Sequence, residues 1–277
     1  MRITLVSLFA ALCLFLTQAQ ASAFEYEVKT VAYKNLVARL YLPKVQGKVP
    51  VVLAFGGSDG GLHFGNANGE MLAPHGLAVL ALAYFKEEGL PATLDRIPLE
   101  YFVSALDFLE TEAALDATKI GVVSGSRGSE AALLLASIDA RIKSVVVTTP
   151  SNVAWYGRTL ARSAWTLKGN DVPALSLELD ESAPQVSRFV AALKNEKNVQ
   201  KARFALESIN GPVLLVSAED DQFWPSYQMS INMVAYLKQH NFKYAVTHHS
   251  YATGHMFSKE TAPAIKQTII DHFVHTL

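Results

Sequence analysis

A serine held among glycines, a run of acids and then a histidine beside a glycine follow one another along this chain, and together they could carry out covalent acyl chemistry. The apolar run KIGVVS leads into Gly125-Ser126-Arg127-Gly128 and then into EAALLLAS, which has helical period. Small neighbours let a chain bend sharply from strand to helix and leave a hydroxyl exposed at the helix N-terminus, so Ser126 is the candidate nucleophile. The usual G-x-S-x-G spacing is altered, because Ser124 stands where the first glycine would be and Gly125 lies inside. A tight turn alone would explain G-S-R-G; its position between a buried run and an apolar helix favours the catalytic reading.

A serine hydroxyl is a weak nucleophile at neutral pH and needs a histidine base oriented by a carboxylate. On a strand-to-helix elbow the chain order is serine, then acid after the next-to-last strand, then histidine after the last. GPVLLVSA runs into Glu219-Asp220-Asp221-Gln222-Phe223-Trp224-Pro225, and YAVTHHSY runs into Ala252-Thr253-Gly254-His255. Of the three acids, Asp221 sits just before the Trp-Pro corner and is best placed to reach inward, with Asp220 second. His255 is the candidate base, since His248 and His249 fall within or at the end of a strand.

The developing oxyanion also needs donors. One is the backbone N–H of Arg127; the other comes from the loop Gly56-Gly57-Ser58-Asp59-Gly60-Gly61, from Gly57 or Ser58. That loop lacks the G-K-[ST] ending and the G-x-G-x-x-G spacing of nucleotide cradles, so no cofactor is expected. His272 and His275 are spaced i, i+3 on the last helical segment without a third ligand, so no metal site is expected either.

The elements that must position these groups alternate. VPVVLAF, LAVLALAY, KIGVVS, IKSVVVTT and GPVLLVSA are continuous apolar runs, as parallel strands covered on both faces would be. Between and after them lie segments of helical period, LEYFVSALDFLETEAA, EAALLLAS, YQMSINMVAYLKQH and AIKQTIIDHFVHTL. The expected fold is α/β, a mostly parallel sheet with helices on both faces, extended at one edge by the alternating arms FEYEVKT and LVARLYLP. Residues 151–210 show no clear strand and read as a cap or lid insertion in a single domain spanning 24–277. Trp155 and Trp165 within it would either form its own small core or line an acyl pocket.

Arg2, the apolar run from Ile3 to Leu16 and the exit Ala21-Ser22-Ala23 match a cleavable secretory signal over residues 1–23, which implies a periplasmic or secreted protein. The run is too short to span a bilayer, and later apolar runs are shorter still, so no stable membrane insertion is expected after cleavage. Cys13 lies within the signal and is the chain's one cysteine, which excludes disulfides and a cysteine nucleophile downstream. With 24 basic against 25 acidic residues in 277, the chain offers no polybasic surface for nucleic acid.

FGGSDGGL, HGLAVLALAYF, LPATLDRIPLEYFVSALDFL, KIGVVSGSRGSEAALLLAS and GPVLLVSAEDDQFWPS with the later Gly-His resemble the C-terminal catalytic domain of the acyl-CoA thioesterase and bile acid-CoA:amino acid N-acyltransferase family. The resemblance covers roughly residues 45–260 and implies an α/β-hydrolase fold with a triad matching Ser126, Asp221 and His255. It associates serine with hydrolysis and cysteine with transfer to an amino acid. Family members of the animal type carry a β-sandwich domain ahead of the catalytic one, where this sequence has a short stretch. Coenzyme A is an intracellular metabolite, so export would separate enzyme and CoA thioesters. The expectation is an exported serine hydrolase acting on a small-molecule acyl ester or thioester. The alternatives are a catalytically silent binding protein of the same fold, or an intracellular acyl-CoA thioesterase if the signal is not used.

Overall fold

The computed structural model describes residues 23–177 and 182–277. The signal expected over residues 1–23, with Cys13, lies outside the described residues except for Ala23.

The leading arms form β1 (Tyr26–Thr30) and β2 (Val37–Pro43). The apolar runs form β3 (Val49–Phe55), β4 (Ala78–Ala83), β6 (Leu115–Gly125), β7 (Ile142–Thr148) and β10 (Val213–Ala218), and β11 (Val246–Tyr251) ends the series. They make one eight-stranded sheet in the order β1-β2-β4-β3-β6-β7-β10-β11. β2 pairs antiparallel with both its neighbours, and every other pairing is parallel.

The continuous apolar runs are explained by what lies on each face. Successive strand residues point to opposite sides, so Val51, Leu53 and Phe55 enter one core while Val52 and Ala54 enter another. The first core is closed by α2 (Leu99–Thr111), α3 (Arg127–Ile138) and α6 (Ser226–Gln239); the second by α1 (His63–Leu72) and α7 (Ala262–Thr276). Each fully buried Val or Leu contributes roughly 1.5–3 kcal/mol, so two-sided burial holds the sheet without disulfides. Among the described residues no helix is long and apolar enough to cross a membrane.

Helix α1 carries little apolar periodicity because the fold uses its glycines for close approach. A Cβ on Gly65 would lie 2.8 Å from Ala54 O and from Ala81, and one on Gly69 would strike the Tyr41 ring. Residues 151–210, where the sequence offered no strand, contain β8 (Trp165–Leu167) and β9 (Asn170–Asp171), which join β5 (Ile97–Pro98) in a separate three-stranded sheet. Strands of two and three residues are too short to leave an alternating pattern. Helices α4 (Gln185–Leu193) and α5 (Glu196–Ala202) follow.

Candidate active site

The C-terminal ends of β6, β10 and β11 bring three distant side chains together. Ser126, at the β6–α3 junction, has φ 52° and ψ −130°, a backbone conformation that non-glycine residues rarely adopt. Its own hydrogen bonds hold it there: Ser126 N–H donates to Thr148 O at 2.9 Å, and Ser126 O accepts from Ser129 N–H at 2.9 Å and from Ser129 Oγ at 2.6 Å. The substitution of Ser124 for glycine has a local explanation. Its hydroxyl donates to Phe55 O at 2.7 Å, and a Cβ on Gly128 would collide with Ser124 Oγ and Gly56 O, so the glycine is needed at the second position.

His255 Nε2 stands 2.9 Å from Ser126 Oγ, and His255 Nδ1 stands 2.9 Å from both carboxylate oxygens of Asp221. A carboxylate can only accept, so Nδ1 carries the hydrogen and Nε2 is left as the acceptor for the serine. Asp221 and His255 are 9% and 8% exposed, whereas Glu219 and Asp220 face solvent. Asp221 is fixed by Phe223 N–H at 3.0 Å, Trp224 N–H at 3.2 Å and the Ser226 hydroxyl at 2.6 Å. The Gln222 side chain accepts from His255 N–H at 3.1 Å, and Gly254 lets it come close, since a Cβ there would lie 2.9 Å from Gln222 Oε1. Phe223 meets the imidazole edge to face, with ring centroids 4.9 Å apart.

The glycine loop after β3 abuts the elbow. A Cβ on Gly57 would lie 2.8 Å from Gly125 O, 2.9 Å from Ser126 Cβ and 3.3 Å from Arg127 N. Among the described residues, the N–H groups of Gly57, Ser58 and Arg127 make no hydrogen bond.

Ser226 and Gln222 were not legible as supporting groups; a serine opening a helix five residues after the acid is a weak signal. The Arg127 side chain was equally silent. Its guanidinium pairs with the fully buried Glu130 and donates to Trp155 O at 3.2 Å and Tyr156 O at 3.0 Å. Glu130 Oε2 in turn accepts from Trp155 N–H and Trp165 Nε1–H, both at 2.9 Å. Burial pushes the Glu130 carboxyl above its ordinary range, while Arg127 and the two tryptophan donors pull it back. The ion pair therefore ties the 151–167 segment to the helix that begins at the elbow.

Both tryptophans are packing residues. Trp155 lies among Phe189, Trp224 and Val199, and Trp165 against Tyr84 and Phe102 in the main core. His248 bonds Ser217 Oγ at 2.7 Å within the sheet, and no cluster of three metal-ligating side chains occurs among the described residues.

Residues 97–275 match the family model described as BAAT / Acyl-CoA thioester hydrolase C terminal. The chain is 32% identical over 194 residues to acyl-coenzyme A thioesterase 6 of Homo sapiens, covering 68% of this chain and 44% of that protein. It is 31% identical over 204 residues to acyl-coenzyme A amino acid N-acyltransferase 1 of Mus musculus, covering 73% and 47% respectively. The chain thus spans less than half the length of these curated relatives. Among solved structures, a dienelactone hydrolase from Anabaena variabilis aligns with TM-score 0.56 at 18% identity, covering 91% of this chain and 99% of that one. An acylaminoacyl peptidase from Pyrococcus horikoshii aligns with TM-score 0.62 at 14% identity, covering 93% and 42%. The fold is that of the α/β hydrolases.

Proposed function

The chain belongs to the BAAT / acyl-CoA thioester hydrolase C-terminal family, and from that premise we propose that it is a serine hydrolase cleaving an acyl ester or thioester through an acyl-Ser126 intermediate. The observation that carries the proposal is the unbroken hydrogen-bonded line from Asp221 through His255 to Ser126. His255 Nε2 takes the Ser126 proton as Oγ attacks the acyl carbon. Asp221 holds Nδ1–H and stabilises the imidazolium that forms. The N–H of Arg127, with that of Gly57 or Ser58, receives the negative oxygen. The imidazolium then protonates the departing alcohol or thiol, and water activated by the same imidazole releases the acid. With all three side chains in line, a silent binding role has no observation in its favour.

Export is part of the proposal. Arg2, the run Ile3 to Leu16 and Ala21-Ser22-Ala23 support a cleaved signal, and coenzyme A would then be absent where the enzyme works. The substrate would be an ester or a thioester of another thiol. Incubation of the purified protein with p-nitrophenyl butyrate and with S-butyryl N-acetylcysteamine tests the reaction. Turnover of at least one is expected, and inertness toward short and long acyl groups on both leaving groups would contradict it. Fractionation with N-terminal sequencing tests export; a chain retained in the cytoplasm with Met1 intact would contradict that part alone.

A further inference from the structure

We propose that Tyr84 and Lys86, at the exit of β4, are positioning residues for the oxyanion donors, an inference that rests on the acyl-serine reading above. Tyr84 is packed beneath the glycine loop among Phe55, Phe102 and Trp165. Its hydroxyl donates to Gly56 O at 2.9 Å and reaches Gly57 O at 3.4 Å. These two carbonyls belong to the peptides whose N–H groups are those of Gly57 and Ser58. In a trans peptide the C=O and N–H point in opposite directions, and no cis peptide occurs among the described residues. A hydroxyl that draws both carbonyls inward therefore turns both N–H groups away from the core, where neither finds a partner among the described residues.

The grip continues along the loop. Gly60 N–H also donates to Gly57 O at 3.2 Å, Gly61 N–H donates to Phe85 O at 3.0 Å, and Lys86 Nζ reaches Ser58 O at 3.2 Å. Three consecutive residues after β4 thus fix successive parts of one loop, and Gly57 in that loop is pressed against Ser126. Burial pushes the Tyr84 phenol far above its ordinary range, so the hydroxyl remains a neutral donor at any working pH. Donors that are fixed before charge develops spend nothing on reorientation in the transition state, which is why their positioning acts on kcat more than on KM.

Tyr84→Phe keeps the ring and removes the donor. On an ester turned over by the wild type, its kcat should fall about tenfold with KM within about twofold, and affinity for butylboronic acid, which forms a tetrahedral adduct on the serine, should fall in parallel. The matched control is Tyr101→Phe. Tyr101 is also buried, and its hydroxyl donates to Ala83 O at 2.8 Å and accepts from Val37 N–H at 3.0 Å without touching the loop. That variant should lose melting temperature to a similar degree and keep kcat. Lys86→Met alters an exposed side chain, and should lower kcat about threefold with an unchanged melting temperature.

A Tyr84→Phe enzyme with wild-type kcat, or one whose loss is matched by Tyr101→Phe, would overturn the inference. If Tyr84→Phe does not fold, Lys86→Met decides, and an unchanged kcat there overturns it. A wild type without ester or thioester turnover would instead overturn the acyl-serine reading, and this inference with it.

Discussion

His255 Nε2 lies 2.9 Å from Ser126 Oγ although the two residues are 129 positions apart in the chain. The meeting is arranged by two parallel strands whose C-terminal ends open on the same edge of the sheet, β6 for the serine and β11 for the histidine, with β10 delivering Asp221 between them. None of the three side chains needs a long or flexible reach, and the acid is clamped by three donors besides the histidine.

Exchanging the acids separates the inward carboxylate from the solvent-facing one. In Asp221→Asn the Phe223 and Trp224 N–H groups would hold the amide oxygen and leave its NH2 at the second carboxylate position, a poor partner for Nδ1–H. The kcat should drop by about 10⁴. Asp220→Asn should leave kcat within about threefold, since its carboxylate is outside the hydrogen-bonded line. Steady-state kinetics on one ester decides; the reverse ranking would reassign the acid.

Glu130→Gln leaves the Arg127 guanidinium, 11% exposed, without a counter-charge in a largely buried setting. Breaking a buried pair in this way costs about 3–5 kcal/mol, and urea denaturation should register a loss of that order. A loss below about 1 kcal/mol, the range of surface pairs, would show that the 151–167 segment is not held through this pair.

Trp155→Ala and Trp165→Ala remove rings that are 1% and 0% exposed. Each should cost about 3–5 kcal/mol in stability. Because neither ring borders solvent, kcat/KM should change by the same factor for acetyl and long-chain esters. A selective loss on long chains would return them to an acyl-lining role.

His272 titrates at about 4 because burial disfavours its charged form, and its Nε2 has no hydrogen-bond partner among the described residues. Its ordinary value is 6.5. The unfolded chain therefore binds the proton first as pH falls, and stability present above about pH 6.5 is lost progressively toward pH 4. The full loss would be up to about 3 kcal/mol, and His272→Gln should flatten the pH dependence of the unfolding free energy in that window. An unchanged slope would assign the acid lability to other groups.

The sequence was most readable where burial is two-sided. β3 coincides with the run VPVVLAF, and α2, α3, α6 and α7 agree with their apolar periods to within a few residues. Helix α1 escaped because Gly65 and Gly69 serve contact with β3, β4 and Tyr41 at the expense of periodicity. The elbow, the acid loop and the Gly-His loop were legible because each follows a strand in the required order. The supporting groups were not: Tyr84 reads as the end of an apolar run, Glu130 as an ordinary helix residue, and Ser226 as a helix start. Tyr84 meets Gly56 28 positions away, Glu130 meets Trp165 35 positions away and Ser226 meets Asp221 5 positions away, contacts that no local pattern reports.

In the proposed reaction Ser126 forms the covalent bond to the acyl group. Treating the folded protein with a fluorophosphonate, followed by peptide mass mapping, tests that role most directly. One phosphonyl adduct per chain on the peptide carrying Ser126 is predicted, absent in Ser126→Ala and strongly slowed in His255→Ala. No adduct on an active enzyme, or an adduct on another hydroxyl with Ser126→Ala still reactive, would contradict the account.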